Sequence, residues 1–222
     1  MHRFPLLRHL GDAEARQLAS QLFRRQLERG AVLFRQDDPA DHLVFVLSGQ
    51  VKLERTSSSG TVSIVEVLGP GNVLAAANFL AVEPYPVTAV ALSPVDSWTL
   101  SYRDFETTVR RSPDISLALL RYVATRLHRA YTRAPGVQRS DVRLASALAR
   151  IAQDSRTDGG NSAVVALSHE DLSQVAGMAR ETATRHLAKW QKDGLVRLHP
   201  RAIQVLDLKA LRRIGQVDDP TA

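Results

Sequence analysis

The sequence predicts an α+β chain: a block of short strands, one long amphipathic helix, and a helical segment closed by a strand hairpin. Three observations predict it. β-Branched runs separated by turn signals fill residues 30–102. Apolar residues then recur every three or four positions from Ile115 to Tyr131. The last third carries three further helical patterns and ends on two short apolar runs. At 222 residues, 44% hydrophobic and 23% charged, the chain has an ordinary globular composition, which excludes collagen-like and disordered classes.

The strand block comes first. Its runs are Ala31-Val32-Leu33-Phe34, Leu43-Val44-Phe45-Val46-Leu47, Gln50-Val51-Lys52-Leu53, Val62-Ser63-Ile64-Val65-Glu66-Val67-Leu68 and Ser97-Trp98-Thr99-Leu100. Asp37-Asp38-Pro39, Ser48-Gly49, residues 57–60 and Gly69-Pro70-Gly71 separate them as turns. Short strands at such spacing predict a β-sandwich or barrel. Trp98 belongs in its core, and Pro84-Tyr85-Pro86 reads as a rigid turn.

The long helix follows. Ser112-Pro113-Asp114 is a sound start, because serine can cap and proline fits the first turn. Ile115, Leu119, Leu120, Val123, Leu127 and Tyr131 form an apolar stripe, with Arg121, Arg126, Arg129 and Arg133 between them. Leu120, Val123, Leu127 and Tyr131 would serve as a seam for a partner helix; packing on the chain's own strands explains the stripe equally well. Ala134-Pro135-Gly136 ends the helix, since proline cannot continue it.

The C-terminal third is more specific. A helix over 141–153 and a strand over 163–167 lead to Ser168, which can cap a helix over 169–176 with Glu170 and Asp171 in its first turn. Gly177 permits a tight turn, a second helix runs over 179–192, and Gly194 stops it. Residues 195–198 and 202–206 then form a hairpin around His199-Pro200-Arg201. Helix, turn, helix and hairpin make a winged helix-turn-helix.

At 100° per residue the second helix has two faces. Ala183, Leu187 and Trp190 lie on one, and Arg180, Glu181, Thr184 and Arg185 on the other. Arginine can bond guanine O6 and N7 together, and glutamate can accept from cytosine N4, so this face could read G·C pairs. It could equally be a solvated face, with Glu181 and Arg185 paired at i,i+4.

Charge favours the first reading. Lys and Arg number 29 against 23 acids, a net +6, and residues 172–213 hold nine basic side chains against three acidic ones. The whole excess therefore sits in the winged-helix segment, where phosphate attraction would need it.

Several classes are excluded. There is no cysteine, hence no disulfide, thiolate zinc site, cysteine nucleophile or cysteine-held iron–sulfur cluster. No His-x-His pair, P-loop, Gly-x-Gly-x-x-Gly or Gly-x-Ser-x-Gly pattern occurs, so no enzyme and no metal site are expected. Residues 1–25 carry charges throughout and no run approaches membrane-span length, so a cytoplasmic protein without a membrane partner is expected.

Over nearly its full length the chain resembles the catabolite-activator/fumarate-nitrate-regulator (CRP/FNR) family of bacterial transcription factors. The residues that carry the resemblance are Gly30 with Leu33-Phe34, Gln36 with Asp38, Ser48-Gly49 with Val51, Gly60 and Pro70-Gly71. In the C-terminal third they are Leu172, Gly177, Arg180-Glu181-Thr182, Arg185, Leu187 and Gly194. The resemblance implies a cyclic-nucleotide-binding-like β-roll (a jelly roll) with an N-terminal helix over 1–111, a dimerisation helix over 112–134, and a winged helix-turn-helix over 135–222. It further implies a homodimer on a palindromic, TGTGA-like site in double-stranded DNA, with RNA polymerase as a partner and activation as the usual outcome. It assigns base contacts to Arg180, Glu181 and Arg185. Thr182 and Thr184 lie on the same DNA-facing helix, and Ser168, Lys189, His199 and Arg201 are placed for phosphates. An alternative is a regulatory ligand-binding module that acts mainly through protein partners.

The sensing end departs from the family's nucleotide-binding pattern. Where those members carry Gly-Glu and, about ten residues later, Arg-Ser, this chain has Ala75-Ala76 and, within one position, Tyr85-Pro86. Residues 72–90 contain no basic side chain. A buried cyclic phosphate there would lack its counter-charge, so cAMP dependence is not expected. The apolar stretch 73–80 looks like that of the nitric-oxide-responsive, haem-binding (Dnr-like) branch, with Tyr85 and Thr88 comparably placed. Leu74, Ala75, Ala76, Tyr85, Pro86 and Thr88 are therefore expected to line an effector pocket. Three readings stay open: haem held by His2, His9, His42 or His128, another apolar ligand, or a pocket filled by its own side chains.

Overall fold

The computed structural model describes Phe4 and residues 12–111, 113–132, 139–155 and 161–216, with only the backbone given at 12–14, 113 and 129–132 and at Arg111. In chain order the elements are α1 (Asp12–Ala19), β1 (Phe23–Leu27), β2 (Val32–Phe34), β3 (His42–Ser48), β4 (Val51–Thr56), β5 (Val62–Leu68), β6 (Val73–Leu74), α2 (Ala76–Ala81), β7 (Thr88–Ala91) and β8 (Val95–Ser101). Then come α3 (Tyr102–Arg111), α4 (Pro113–Thr132), α5 (Ser140–Asp154), β9 (Ala163–Val165), α6 (His169–Val175), α7 (Arg180–Lys192), β10 (Val196–His199), β11 (Ala202–Val205) and α8 (Leu208–Gly215). They form two compact units, Met1–Gly49 with Pro70–Pro135, and Gln50–Gly69 with Gly136–Ala222.

In the first unit β8 lies between β1 and β3, and β3 also pairs with β6, all antiparallel. β2 pairs with β7. The core of this unit gathers Phe4, Leu43, Phe45, Phe79, Leu100, Phe105 and Leu119, with Trp98 packed against its margin. Aliphatic residues and a few rings in edge contact, such as Phe79 on Phe105 at 5.0 Å, supply the burial that so few aromatics allow. Gly49 is obligatory: its φ is +84°, and a Cβ there would stand 2.2 Å from the Pro94 carbonyl oxygen.

The second unit contains the β4–β5 hairpin and the winged helix-turn-helix. Its three-stranded sheet runs β10-β11-β9. Leu144, Leu148, Ile151, Leu167, Leu172, Leu187, Ile203 and Leu211 are fully buried around it. The hairpin is tied in by polar contacts. The buried Gln50 side chain accepts from Ala166 N at 2.5 Å and donates to Val164 O at 3.2 Å and to Ser155 Oγ. Ile64 N donates to Gln174 Oε1 at 3.3 Å, and Arg150 Nη1 lies 3.6 Å from Glu66 Oε1.

The α+β class, the β-roll, the long helix and the winged helix-turn-helix are as expected. The structure adds elements that periodicity did not reveal. β1 is almost wholly exposed and is a strand because β8 supplies its partners. α2 occupies the second half of the apolar stretch 73–80, after β6, and α3 precedes the long helix as a separate element. α8 closes the second unit, its start capped by Asp207, which accepts from Ala210 N at 2.9 Å. The expected helix start at Ser112 and the break at 134–136 lie outside the described residues.

Candidate nucleic-acid interface

The helix-turn-helix is built by local chemistry. Ser168 Oγ accepts from Asp171 N at 3.1 Å, while Asp171 Oδ2 accepts from Ser168 N at 3.1 Å and from the hydroxyl at 2.6 Å. This reciprocal cap fixes the start of α6. After α6, Gly177 takes φ +61° in open space, the conformation that lets the chain reverse into α7.

α7 divides as its sequence demands. Ala183, Leu187 and Trp190 are buried, whereas Arg180, Glu181, Thr184 and Arg185 are exposed on one face at its N-terminal half. Thr182 is half-buried at the edge of that face. Among the described residues no ion pair joins Glu181 to Arg185. Arg180 instead has Glu170 of α6 nearby, its Nη1 3.8 Å from Glu170 Oε2. All three base-reading candidates on α7, Arg180, Glu181 and Arg185, are therefore exposed to solvent.

The candidates for phosphate contact lie on α7, at the start of α6 and in the wing. Lys189 is exposed toward the C-terminal half of α7, His199 ends β10, and Arg201 lies exposed in the turn of the wing. Ser168 has its hydroxyl hydrogen engaged by Asp171. One member of the basic cluster is not at the surface: Arg212 is buried and donates to Gln153 Oε1. The sequence singled out neither Glu170 nor His169 as a site residue. His169 is half-buried, its Nε2 without a hydrogen-bond partner among the described residues, and burial and the nearby Arg180 charge lower its pKa from 6.5.

On α4 two faces separate. Ile115, Ala118, Leu119 and Tyr122 are buried in the first unit's core, and the Tyr122 hydroxyl bonds the backbone N and O of Val73. Leu120 and Leu127 remain 59% and 53% exposed, with Leu117 and Ala124 beside them. Val123 packs at the margin of the core, and the Tyr131 side chain lies outside the described residues. The 3-4-3 spacing of 117, 120, 124 and 127 was the signal that could have added Leu117 and Ala124 to the seam.

The expected effector-pocket residues are well packed. Leu74, Ala76 and Tyr85 are buried, Ala75 and Thr88 half-buried, and Pro86 exposed. Tyr85 stacks on Phe34 with centroids 4.0 Å apart, and its hydroxyl donates to His42 O at 3.1 Å and accepts from His42 N at 3.3 Å. Its burial raises the phenol pKa above 10.0. Thr88 Oγ1 accepts from Gln36 N at 3.0 Å. His42 Nδ1 lies 2.6 Å from Asp41 Oδ1 and His128 is exposed on α4; His2 and His9 lie outside the described residues. Among the described residues no group of three or more His, Cys, Asp or Glu side chains is arranged to hold a metal. None of the described helices is long and apolar enough to cross a membrane.

A β-roll combined with a winged helix-turn-helix defines a transcription regulator that binds DNA, not an enzyme. Comparison with known proteins agrees: residues 24–112 match the cyclic nucleotide-binding domain and residues 142–214 the Crp-like helix-turn-helix domain. The chain belongs to the CRP/FNR family of transcriptional regulators. It is 28% identical over 200 residues to the CRP-like cAMP-activated global transcriptional regulator of Mycobacterium tuberculosis, covering 88% of this chain and 89% of that one. It is 28% identical over 213 residues to the cyclic AMP receptor protein of Thermus thermophilus, covering 95% and 96%. Among solved structures, the Thermus thermophilus catabolite activator protein aligns with a TM-score of 0.54 at 28% identity, over 96% of this chain and all of that one.

Proposed function

We propose that this chain is a homodimeric, sequence-specific transcription regulator that reads a palindromic, TGTGA-like site through α7 and does so without cAMP. The exposed Arg180, Glu181 and Arg185 face of α7, in a segment that holds the whole positive excess of the chain, carries this reading. Arg180 and Arg185 read guanines, Glu181 accepts from a cytosine amine, and Thr182 and Thr184 flank them. Lys189, His199, Arg201 and the Ser168 end of α6 meet phosphates. The exposed Leu117, Leu120, Ala124 and Leu127 seam, continued by Tyr131, supports pairing of two α4 helices. The boundaries at 111 and 134 then separate sensor, dimer helix and DNA-binding segment.

Cyclic AMP independence rests on chemistry at the β-roll. The two relatives named above are described as cAMP-activated or as a cAMP receptor. This chain has alanines at 75 and 76 and no basic residue over 72–90, and Phe79 and Tyr85 are buried there. A phosphate in that place would lose its hydration without a counter-charge. Leu74, Ala76 and Tyr85 thus fill the roll with the chain's own atoms, Ala75 and Thr88 standing half-buried beside them and Pro86 at the surface. The protein acts in the cytoplasm and contacts RNA polymerase.

Footprinting at physiological salt, on DNA from the organism that carries this chain, tests the reading. A protected palindrome without added nucleotide is the expected result. Absence of any protected palindrome would favour a module that works through protein partners alone.

A further inference from the structure

Arg180 does not stand alone in the free protein. Glu170 Oε2 lies 3.8 Å from its Nη1, and the two side chains are 61% and 66% exposed, so both are open to an arriving duplex. Glu170 is held there by its helix: the Ser168–Asp171 cap fixes the first turn of α6 on either side of it. His169, one residue earlier, has its pKa lowered by burial first and by the same guanidinium second. The start of α6 thus places one acid and one half-buried histidine near the base-reading arginine.

We propose that Glu170 is a specificity-setting residue, a carboxylate that competes with DNA phosphates for Arg180. The proposal rests on the reading of Arg180 as a base contact. On random DNA, Arg180 gains most by turning to a phosphate oxygen. That move removes it from Glu170 and leaves the carboxylate beside like charge. On a G·C pair the outcome differs. Guanine O6 and N7 are neutral acceptors and occupy two of the five guanidinium N–H groups, so the remaining donors can still face Glu170. Glu170 therefore weakens non-specific binding more than specific binding. It widens the ratio between them without touching a base.

The test uses the full-length chain with E170Q, an isosteric neutral change at an exposed position. Affinities are measured across salt on the palindrome recovered from a random pool and on a random duplex of equal length. Random-DNA binding should tighten about 2- to 5-fold and its log–log salt slope should steepen by about one, as a freed arginine takes up a phosphate. Palindrome affinity should change less than about twofold. In an R180A background the difference between the two DNAs should vanish. Equal tightening on both duplexes, no change on either, or a difference that survives R180A would overturn the proposal. R180A alone separates the two levels: equal losses on both duplexes would remove the base-reader reading, and Glu170's role with it. A selective loss on the palindrome together with an inert E170Q would remove only Glu170's role.

Discussion

At the scale of single residues, α7 holds the sharpest predictions. Arg180→Ala should cost about 1–3 kcal/mol on the palindrome and relax preference at one G·C pair, read by titrating single-base variants of the site. Lys189→Ala should weaken all sequences roughly alike. His169 gives a pH dependence. Its native pKa is lowered by burial and by Arg180. Well above its ordinary value of 6.5 it is neutral in native and unfolded chains and contributes no pH dependence. As pH falls below that value the unfolded chain takes the proton first, so stability declines until the native pKa is passed. Denaturation between pH 5 and 7.5 should show His169→Gln flattening this decline; an unchanged slope would contradict it. The residues of the α7 face were legible in the sequence because a helical period sorts them without help. The pairing of Arg180 was not, because Glu170 reaches it from another helix across a turn.

Among elements, the polar tie of the β4–β5 hairpin matters most for stability. Gln50→Ala removes the partner of Ala166 N and Val164 O, both in or next to β9. Losing these part-buried hydrogen bonds should cost about 1 kcal/mol and lower the melting temperature of the full chain. Val82 offers the opposite case. It ends α2 with φ +58° while largely exposed, a left-handed conformation that a β-branched residue adopts at a cost. Val82→Gly should raise stability by roughly 0.5–1 kcal/mol in thermal melts. Strands with apolar runs were legible because burial demands them: β3 is buried on both faces over residues 43–46, and β5 buries Ile64, Val67 and Leu68. β1, with Phe-Arg-Arg-Gln-Leu mostly in solvent, has no such pattern and exists through its register with β8. α3 was hidden because its charged residues run directly into Ser112-Pro113 without a turn signal between helices. α8 lay hidden likewise behind the expected wing.

At the level of the whole molecule, charge and apolar surface divide the work between the two units. The +6 is confined to residues 172–213, and although Arg212 is buried away from it, the remaining basic side chains there leave that surface positive. The apolar seam on α4 belongs to the first unit. If two seams join, Leu120→Asp with Leu127→Asp should give a monomer in sedimentation and lose most palindrome affinity, since each half-site then binds alone. Retention of a dimer would place the interface elsewhere. The sequence showed where the charge lies and which effector residues are missing, because both are matters of composition over short windows. It could not show how completely Tyr85, Phe34 and Phe79 fill the roll, since that depends on contacts between distant strands and helices. Selection of bound duplexes from a random pool, run with and without cAMP, tests the central claim most directly. One palindrome with half-sites about one helical turn apart, enriched equally under both conditions, is the result expected. Enrichment only when cAMP is present, or none at all, would contradict it.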